Sequence, residues 1–166
     1  MKDAIEHIRH EVIEHCQDKE KAELRDSLDE AGSGKLEWES SLILEVRTRI
    51  EGIEEGTNSF TQAVPVQFTL SFEPATQHIT VYLQWGKVDT AIWQAAEPVI
   101  IERLADQGDK HVAFFSDREV VELHIVYPIH EFDFEYVYEE TVTYFGLINS
   151  IFFEKVQESN SRNKQS

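Results

Sequence analysis

The segment HIRHEVIEHC, residues 7–16, carries three histidines and two glutamates within ten residues. Imidazole and carboxylate groups at this density could hold a transition metal. A zinc-protease helix has the spacing H-E-x-x-H, which sets its two imidazoles one turn apart. In HEVIEH the second histidine comes one residue late, so His10 and His15 lie about 140° apart around a helix axis. These two histidines therefore cannot converge on one ion as the histidines of that motif do.

Winding the N-terminal residues into a helix separates an apolar side from a polar side. Helix-favouring residues extend from Asp3 to about Glu30. The apolar side consists of Ile5, Ile8, Val12 and Cys16, the polar side consists of His7, His10, Glu11 and Glu14, and His15 lies near the boundary. We expect the polar side to face solvent, with its i,i+4 pairs forming ordinary surface hydrogen bonds. Metal binding by the same pairs is the alternative. Cys16 is expected to be a small core residue and not a nucleophile.

The chain is strongly acidic, with 32 Asp and Glu residues against 15 Lys and Arg residues and a formal net charge of −17. Such a charge repels phosphate backbones and anionic lipid headgroups. We therefore expect no nucleic acid partner and no membrane partner. A basic protein or peptide is the partner that this charge favours.

The length of 166 residues, 41% of them hydrophobic, is sufficient for one domain with one core. We predict a single acidic α+β domain over residues 1–157 and a disordered polar tail over residues 158–166. The aliphatic runs are much shorter than the roughly 20 residues that span a bilayer. The acidic N-terminal segment is unlike a signal peptide, and one cysteine cannot form an intrachain disulfide. A cytoplasmic location is therefore expected.

Three segments alternate apolar and polar residues with the period of a β-strand. They are residues 41–50, 65–73 and 79–85, and their succession predicts an antiparallel meander. Even-numbered positions of the first segment, beginning with Leu42, are expected to point inward. The polar, glycine-containing residues 53–64 between the first two segments predict a long mobile loop.

A second helix is predicted after the meander, with Asp89 as its N-cap and Gly108 at its C-terminal cap position. Pro98 should either kink this helix or restart it as a new one, because proline lacks a backbone donor. Residues 111–128 then predict a hairpin. A closing helix is expected over about residues 139–157, where apolar residues recur at steps of three and four.

These elements predict an α+β domain in which an antiparallel sheet of five or six strands is flanked by N-terminal, middle and C-terminal helices. Their order of helix, three strands, helix, two strands and helix resembles the type III secretion chaperone-like fold, including the YbjN-like proteins. The resemblance covers residues 3–157 and rests on element order, length and acidity. It implies a non-enzymatic homodimer that holds partner polypeptides.

The segment EFDFEYVYEE, residues 131–140, combines five acids and four aromatic residues with no base. One interpretation of its alternation is a last strand, or an extended lead-in, with aromatic residues in the core. The other is a recognition edge for a basic, partly apolar peptide, in which the rings supply contact area and the carboxylates steer the encounter. The candidate binding residues are Glu131, Asp133, Phe134, Glu135, Tyr136 and Tyr138.

No phosphate-binding loop, dinucleotide fingerprint, C-x-x-C pair or hydrolase elbow occurs in the sequence. We therefore expect a polypeptide-binding or regulatory protein with no catalytic residue, no metal site and no cofactor, and the resemblance implies that it is of chaperone-like type. One alternative is an immunity or antitoxin-type inhibitor of a basic protein. The alternative from another class is a metal-dependent enzyme that uses the helix from His7 to His15.

Overall fold

The computed structural model describes residues 2–49 and 57–165, with side chains described over residues 2–45 and 61–162. The helices are α1 (Lys2–His15), α2 (Thr90–Arg103) and α3 (Phe134–Gln165), with a π-helical turn at Cys16–Glu20 and a 3-10 turn at Ile129–Glu131. The strands are β1 (Arg25–Asp26), β2 (Gly34–Arg49), β3 (Thr57–Glu73), β4 (His78–Trp85), β5 (Lys110–Phe115) and β6 (Val120–Pro128). The predicted α+β class and its three flanking helices are confirmed.

All six strands form one antiparallel sheet in the order β1-β2-β3-β4-β6-β5. The meander β2-β3-β4 and the hairpin β5-β6 are as predicted, and β6 places the hairpin beside β4. One row of core residues crosses four strands and is almost fully buried: Trp38, Phe68, Leu83 and Leu123. Alternation along each strand therefore gives the sheet one apolar face.

The helices cover that apolar face. Ile5, Ile8 and Val12 of α1 are buried in the core together with Phe145 of α3, whose ring lies edge-on to Trp85 at a centroid distance of 4.9 Å. Burying an aliphatic or phenylalanine side chain contributes about 1.5–3 kcal/mol, so this layer supplies much of the stability. The opposite face of the sheet carries half-buried polar residues such as Thr69, Tyr82 and Gln84.

The first helix ends far earlier than the predicted end near Glu30. Regular α-helix stops at His15, and Lys21 takes a left-handed conformation (φ 50°) after the π-helical turn. Two residues of the predicted helix, Arg25 and Asp26, instead pair with β2 as strand β1. Helix propensity is a weak preference, and pairing with an available strand edge overrides it here.

The predicted loop at 53–64 is wrong from Thr57 onward, because β3 already begins there and Thr57 pairs with Arg49. Residues 53–56 lie outside the described residues. Polar side chains do not prevent a strand when the neighbouring strand satisfies the backbone hydrogen bonds. The predicted facing of β2 is confirmed at Leu42, which is buried, while positions 46–50 have no described side chains.

Asp89 is the N-cap of α2, as predicted, and its carboxylate accepts a hydrogen bond from the Ala91 amide at 2.7 Å. The helix runs through Pro98 without a break, so the predicted restart is wrong. The predicted cap at Gly108 is also wrong. The helix ends at Arg103: the Leu104 amide still makes a helical bond to the Ile100 carbonyl, but the Ala105 and Gln107 amides bond three residues back, to Glu102 and Leu104, and form a turn. Gly108 lies in a second turn before β5.

The segment 131–138 forms neither a strand nor an extended lead-in beyond Asp133, because α3 begins at Phe134. The same residues contain a helical stripe at steps of three and four, formed by Phe134, Val137, Tyr138 and Thr141, and the sheet offers this stripe a core to pack on. Glutamates are also favourable near a helix N-terminus. At its other end α3 continues to Gln165, past the predicted end at 157, and its side chains over 157–162 are exposed.

Candidate functional site

The histidine-rich segment 7–16 and the acidic aromatic segment 131–140 lie next to each other in the structure. The end of α1 and the following π-helical turn lie beside the start of α3, and together they enclose a small cavity of about 170 Å³. Its lining residues are Glu11, Glu14, His15, Asp18, Lys19, Phe134 and Glu135. No residue pattern predicts this contact, because more than 110 residues separate the two segments.

Carboxylates from both helices share one electrostatic environment at this cavity. The pKa of Glu11 is raised above its ordinary value, first by burial and then by repulsion from Asp133, Glu135 and Glu14. His7, whose Nε2 lies 2.9 Å from Glu11 Oε1, opposes that shift. Like charges are therefore close enough to disfavour one another, and a cation placed here would relieve that repulsion. We call the surface formed by half-buried Glu11 and by exposed Glu14, Asp18, Asp133 and Glu135 the acidic face.

The six candidate residues of the sequence divide into exposed and buried members. Glu131, Asp133 and Glu135 are exposed. Tyr136 is 61% exposed, but its neighbours are Glu140, Lys110 and Tyr144 on the other side of α3. Phe134 is buried, with its ring 5.1 Å from that of His15, so it is unavailable as a surface anchor. Tyr138 is half-buried and points into the protein, where its hydroxyl donates to Glu20 Oε1 at 2.8 Å.

A buried polar cluster joins α1, α3 and β2 beneath the acidic face. Glu20 Oε1 lies 3.0 Å from His15 Nε2 and accepts the Tyr138 hydroxyl, and Ser40 of β2 also lies within reach of the carboxylate. The side chains of His15 and Glu20 are only 7% and 10% exposed. We call His15, Glu20, Ser40 and Tyr138 the π-turn junction.

The π-helical turn explains how His15 and Glu20 meet. Residues five apart point in different directions on an α-helix, but an i→i+5 turn brings them side by side. The Ala22 amide donates to the Cys16 carbonyl at 3.0 Å and closes the wide turn. Sequence reasoning placed His15 only near the boundary of the polar side and missed Glu20, because nothing in the residue pattern marks a π-helical turn.

Neighbouring groups favour the charged form of Glu20. Burial alone would raise its pKa, but the contacts with His15, Tyr138 and Ser40 outweigh burial, and the pKa lies below the ordinary value. The pKa of Tyr138 is raised by burial and by the adjacent Glu20 carboxylate. The junction therefore holds a carboxylate that is buried, charged and hydrogen-bonded, which fixes the end of α1 against α3.

Two histidines of α1, His7 and His10, form surface pairs with glutamates. His10 Nε2 lies 3.1 Å from Glu14 Oε1, as His7 does from Glu11, and both histidines are exposed. The predicted i,i+4 pairing is confirmed. In the described part of the chain, no group of three or more His, Cys, Asp and Glu residues converges as a metal site would require.

Cys16 is buried in the core, as predicted. Burial and the nearby Glu20 carboxylate raise the pKa of its thiol to about 11. A thiol of this kind is almost entirely protonated at neutral pH and makes a poor nucleophile.

A second buried charge fixes the other side of α3. Lys110 of β5 lies 3.5 Å from Glu140, and its ammonium group is 4.9 Å from the centre of the Tyr144 ring. Glu140 also accepts the Tyr127 hydroxyl at 2.8 Å. Every charge in this group has a partner, which indicates that the group serves to connect the hairpin to α3.

Among the described residues, no helix is both long enough and apolar enough to cross a membrane. Comparisons with protein-family models, with curated proteins and with solved structures gave no match. The resemblance to the type III secretion chaperone-like fold therefore stays a prediction.

Proposed function

We propose that this protein binds basic polypeptides on its acidic face, in a chaperone-like or regulatory role and without catalysis of its own. The observation that carries the proposal is the convergence of carboxylates from α1, the π-helical turn and α3 around one cavity, where burial and then repulsion from Asp133, Glu135 and Glu14 raise the pKa of Glu11.

The charge balance of the acidic face favours a cationic partner. Lys19 is the one Lys or Arg residue that lines the cavity. Its Nζ lies 3.8 Å from Glu135 Oε1, and both side chains are exposed. An exposed pair of this kind is worth little, so it opposes a competing cation weakly. No described cation lies within ion-pair distance of Asp133. A Lys or Arg side chain of a partner would supply the missing charge.

The absence of catalysis is part of the proposal and has three supports. The Cys16 thiol is buried and protonated, His7 and His10 are held in solvated pairs with glutamates, and the buried His15 is committed to Glu20. A cytoplasmic location also belongs to the proposal, because a chain with one cysteine gains no intrachain disulfide from an oxidising compartment.

The test is fluorescence anisotropy with a labelled synthetic peptide rich in Lys and Leu, and with an acidic peptide of the same length. The variant Glu11→Gln/Glu14→Gln/Glu135→Gln should bind the basic peptide about 3- to 150-fold more weakly, because three charge contacts of roughly 0.2–1 kcal/mol each are lost. Binding should also weaken as salt rises.

A matched control separates the acidic face from net charge. The variant Glu23→Gln/Glu30→Gln/Glu102→Gln removes the same number of charges from exposed positions elsewhere and should bind nearly as well as the unchanged protein. An equal loss in both variants would show that only net charge matters. If neither peptide binds at micromolar concentration, the proposed function is wrong.

An inhibitor of a basic protein is the second candidate, and the net charge of −17 favours it. It differs in the form of the partner, because an inhibitor binds a folded basic surface while a chaperone-like protein binds an extended segment. Competition decides between them: an unfolded basic peptide should displace a chaperone client but not a tightly held folded protein.

A further inference from the structure

A pair of histidines lies on the sheet, away from the acidic face and from the π-turn junction. His111 of β5 and His124 of β6 are directly opposite each other in the antiparallel register. Their imidazole ring centres are 5.0 Å apart, and the ring planes meet at 33°. Both side chains lie on the sheet face that the helices leave open, because Leu123 and Ile125 on either side of His124 point into the core.

The spacing of the two rings fits one metal ion between them. A zinc–imidazole bond of about 2.0–2.1 Å places the ion about 3.2 Å from the centre of each ring. Two ring centres 5.0 Å apart then subtend an angle of about 100° at the ion, close to the tetrahedral geometry of zinc. The exposed histidines of α1, His7 and His10, are instead each paired with a glutamate of their own helix.

A carboxylate lies behind the ring of His124. His124 Nδ1 is buried, has no hydrogen-bond partner among the described residues, and lies 3.9 Å from Glu122 Oε1, too far for a hydrogen bond. The other carboxylate oxygen of Glu122 accepts a hydrogen bond from Gln84 Nε2 of β4, which holds the carboxylate in place. Histidines that bind a metal usually donate their second ring nitrogen to such a carboxylate, which fixes the tautomer and orients the ring.

We propose that His111 and His124 together bind one divalent transition-metal ion of the zinc class, with Glu122 orienting His124 from behind. The ion binds Nε2 of His124, so the ring proton is on Nδ1 and a small ring rotation lets it donate to Glu122. Imidazole suits zinc, copper and nickel, whereas magnesium and calcium take oxygen ligands. Two protein ligands leave the other coordination positions to water, so the site is open and weaker than a closed site of four ligands.

The bound ion joins the edge strand of the sheet to its neighbour. Among the described strands, β5 pairs with β6 alone, over six residues. An ion that binds the folded pair of histidines and not the unfolded chain stabilises the fold by mass action. The site shares no residue with the acidic face, so it is independent of the proposed function.

Isothermal titration calorimetry of the full chain with zinc chloride tests the site. The unchanged protein should bind one equivalent of zinc with a micromolar dissociation constant. His111→Gln and His124→Gln should each raise that constant at least about tenfold, because each variant leaves a single imidazole. Glu122→Gln should raise it by about tenfold as well, since it weakens the support of His124 without removing a ligand. Magnesium chloride should give no heat that depends on these three residues.

The double variant His7→Gln/His10→Gln is the matched control, because it removes two exposed histidines from α1, and it should change the zinc dissociation constant less than about twofold. Zinc at about 0.1 mM should raise the urea midpoint of the unchanged protein and of this control, but not of His111→Gln or His124→Gln. Urea unfolding without zinc confirms that each variant is folded. The proposal is overturned if zinc does not bind at about 0.1 mM, if binding persists in both single histidine variants, or if only the control loses it.

Discussion

Replacing Tyr138 with phenylalanine removes one hydroxyl group from the π-turn junction and leaves the ring in place. The ring contacts with His15 and Phe68, at centroid distances of 4.6 Å and 5.3 Å, should therefore persist. What is lost is the 2.8 Å hydrogen bond to Glu20 Oε1. A hydrogen bond to a charged group contributes about 1.5–3 kcal/mol, and Glu20 is too buried for water to replace the donor easily. We expect the free energy of unfolding at pH 7 to fall by about that amount.

The pH dependence identifies the cause of this loss. The pKa of Glu20 is lowered in the folded protein, so its stabilisation is present above the ordinary glutamate pKa and is lost as pH falls through the folded value. Tyr138→Phe removes one of the contacts that lower this pKa. The variant and the unchanged protein should therefore differ most near pH 7 and should converge once the pH has fallen through the lowered pKa of Glu20.

Urea unfolding followed by tryptophan fluorescence at pH 7 and at about pH 3, below the ordinary glutamate pKa, measures both effects. Tyr136→Phe is the matched control, because it removes a hydroxyl from a 61% exposed side chain two residues away, and it should change stability by less than about 0.5 kcal/mol. This prediction is wrong if Tyr138→Phe lowers the free energy of unfolding no more than the control does, or if it lowers it by the same amount at both pH values.

Urea unfolding also checks three further predictions. The free energy of unfolding of the double variant His10→Ala/Glu14→Ala should lie within about 1 kcal/mol of that of the unchanged protein. Val12→Asp should lower the free energy of unfolding by several kcal/mol, because it buries a charge. A large loss of stability in the double variant would contradict the solvated pair of His10 and Glu14. The pKa of Glu11 is raised in the folded protein, so its charge destabilises the fold above that pKa. Glu11→Gln should therefore raise the free energy of unfolding by about 0.5 kcal/mol at pH 7, and this gain should disappear below about pH 4, where Glu11 is protonated in both states. A lower stability of Glu11→Gln at pH 7 would contradict this prediction. Asp89→Ala should cost about 1 kcal/mol because the Ala91 amide loses its cap, and an unchanged midpoint would rule out that contribution.

Local patterns determined most of the elements of this protein. Alternation predicted β4 almost to the residue, and Asp89 marked the start of α2, because both signals depend on neighbours in the chain. The apolar side of α1 was also readable, and Ile5, Ile8, Val12 and Cys16 are all buried. These predictions hold because a residue's facing in a regular element follows from its spacing alone.

The alternation at 131–138 shows where local pattern is insufficient. Phe134, Tyr136 and Tyr138 satisfy the strand period, but Phe134, Val137 and Tyr138 also satisfy the helix period, and only the core beneath α3 decides between them. The same decision buries Phe134 and leaves Tyr136 exposed, which changes the candidate site from a strand edge to a helix surface.

The acidic face was only half visible in the sequence, which supplied both groups of carboxylates but not their contact. Glu11 and Glu135 are brought together by the packing of α1 and α3 on one sheet face, and the partnership of His15 with Glu20 depends on the wide turn that ends α1. Facing within an element depends on a few neighbouring residues. Contact between distant elements depends on how the whole core packs, and that is why the tertiary structure decided the site.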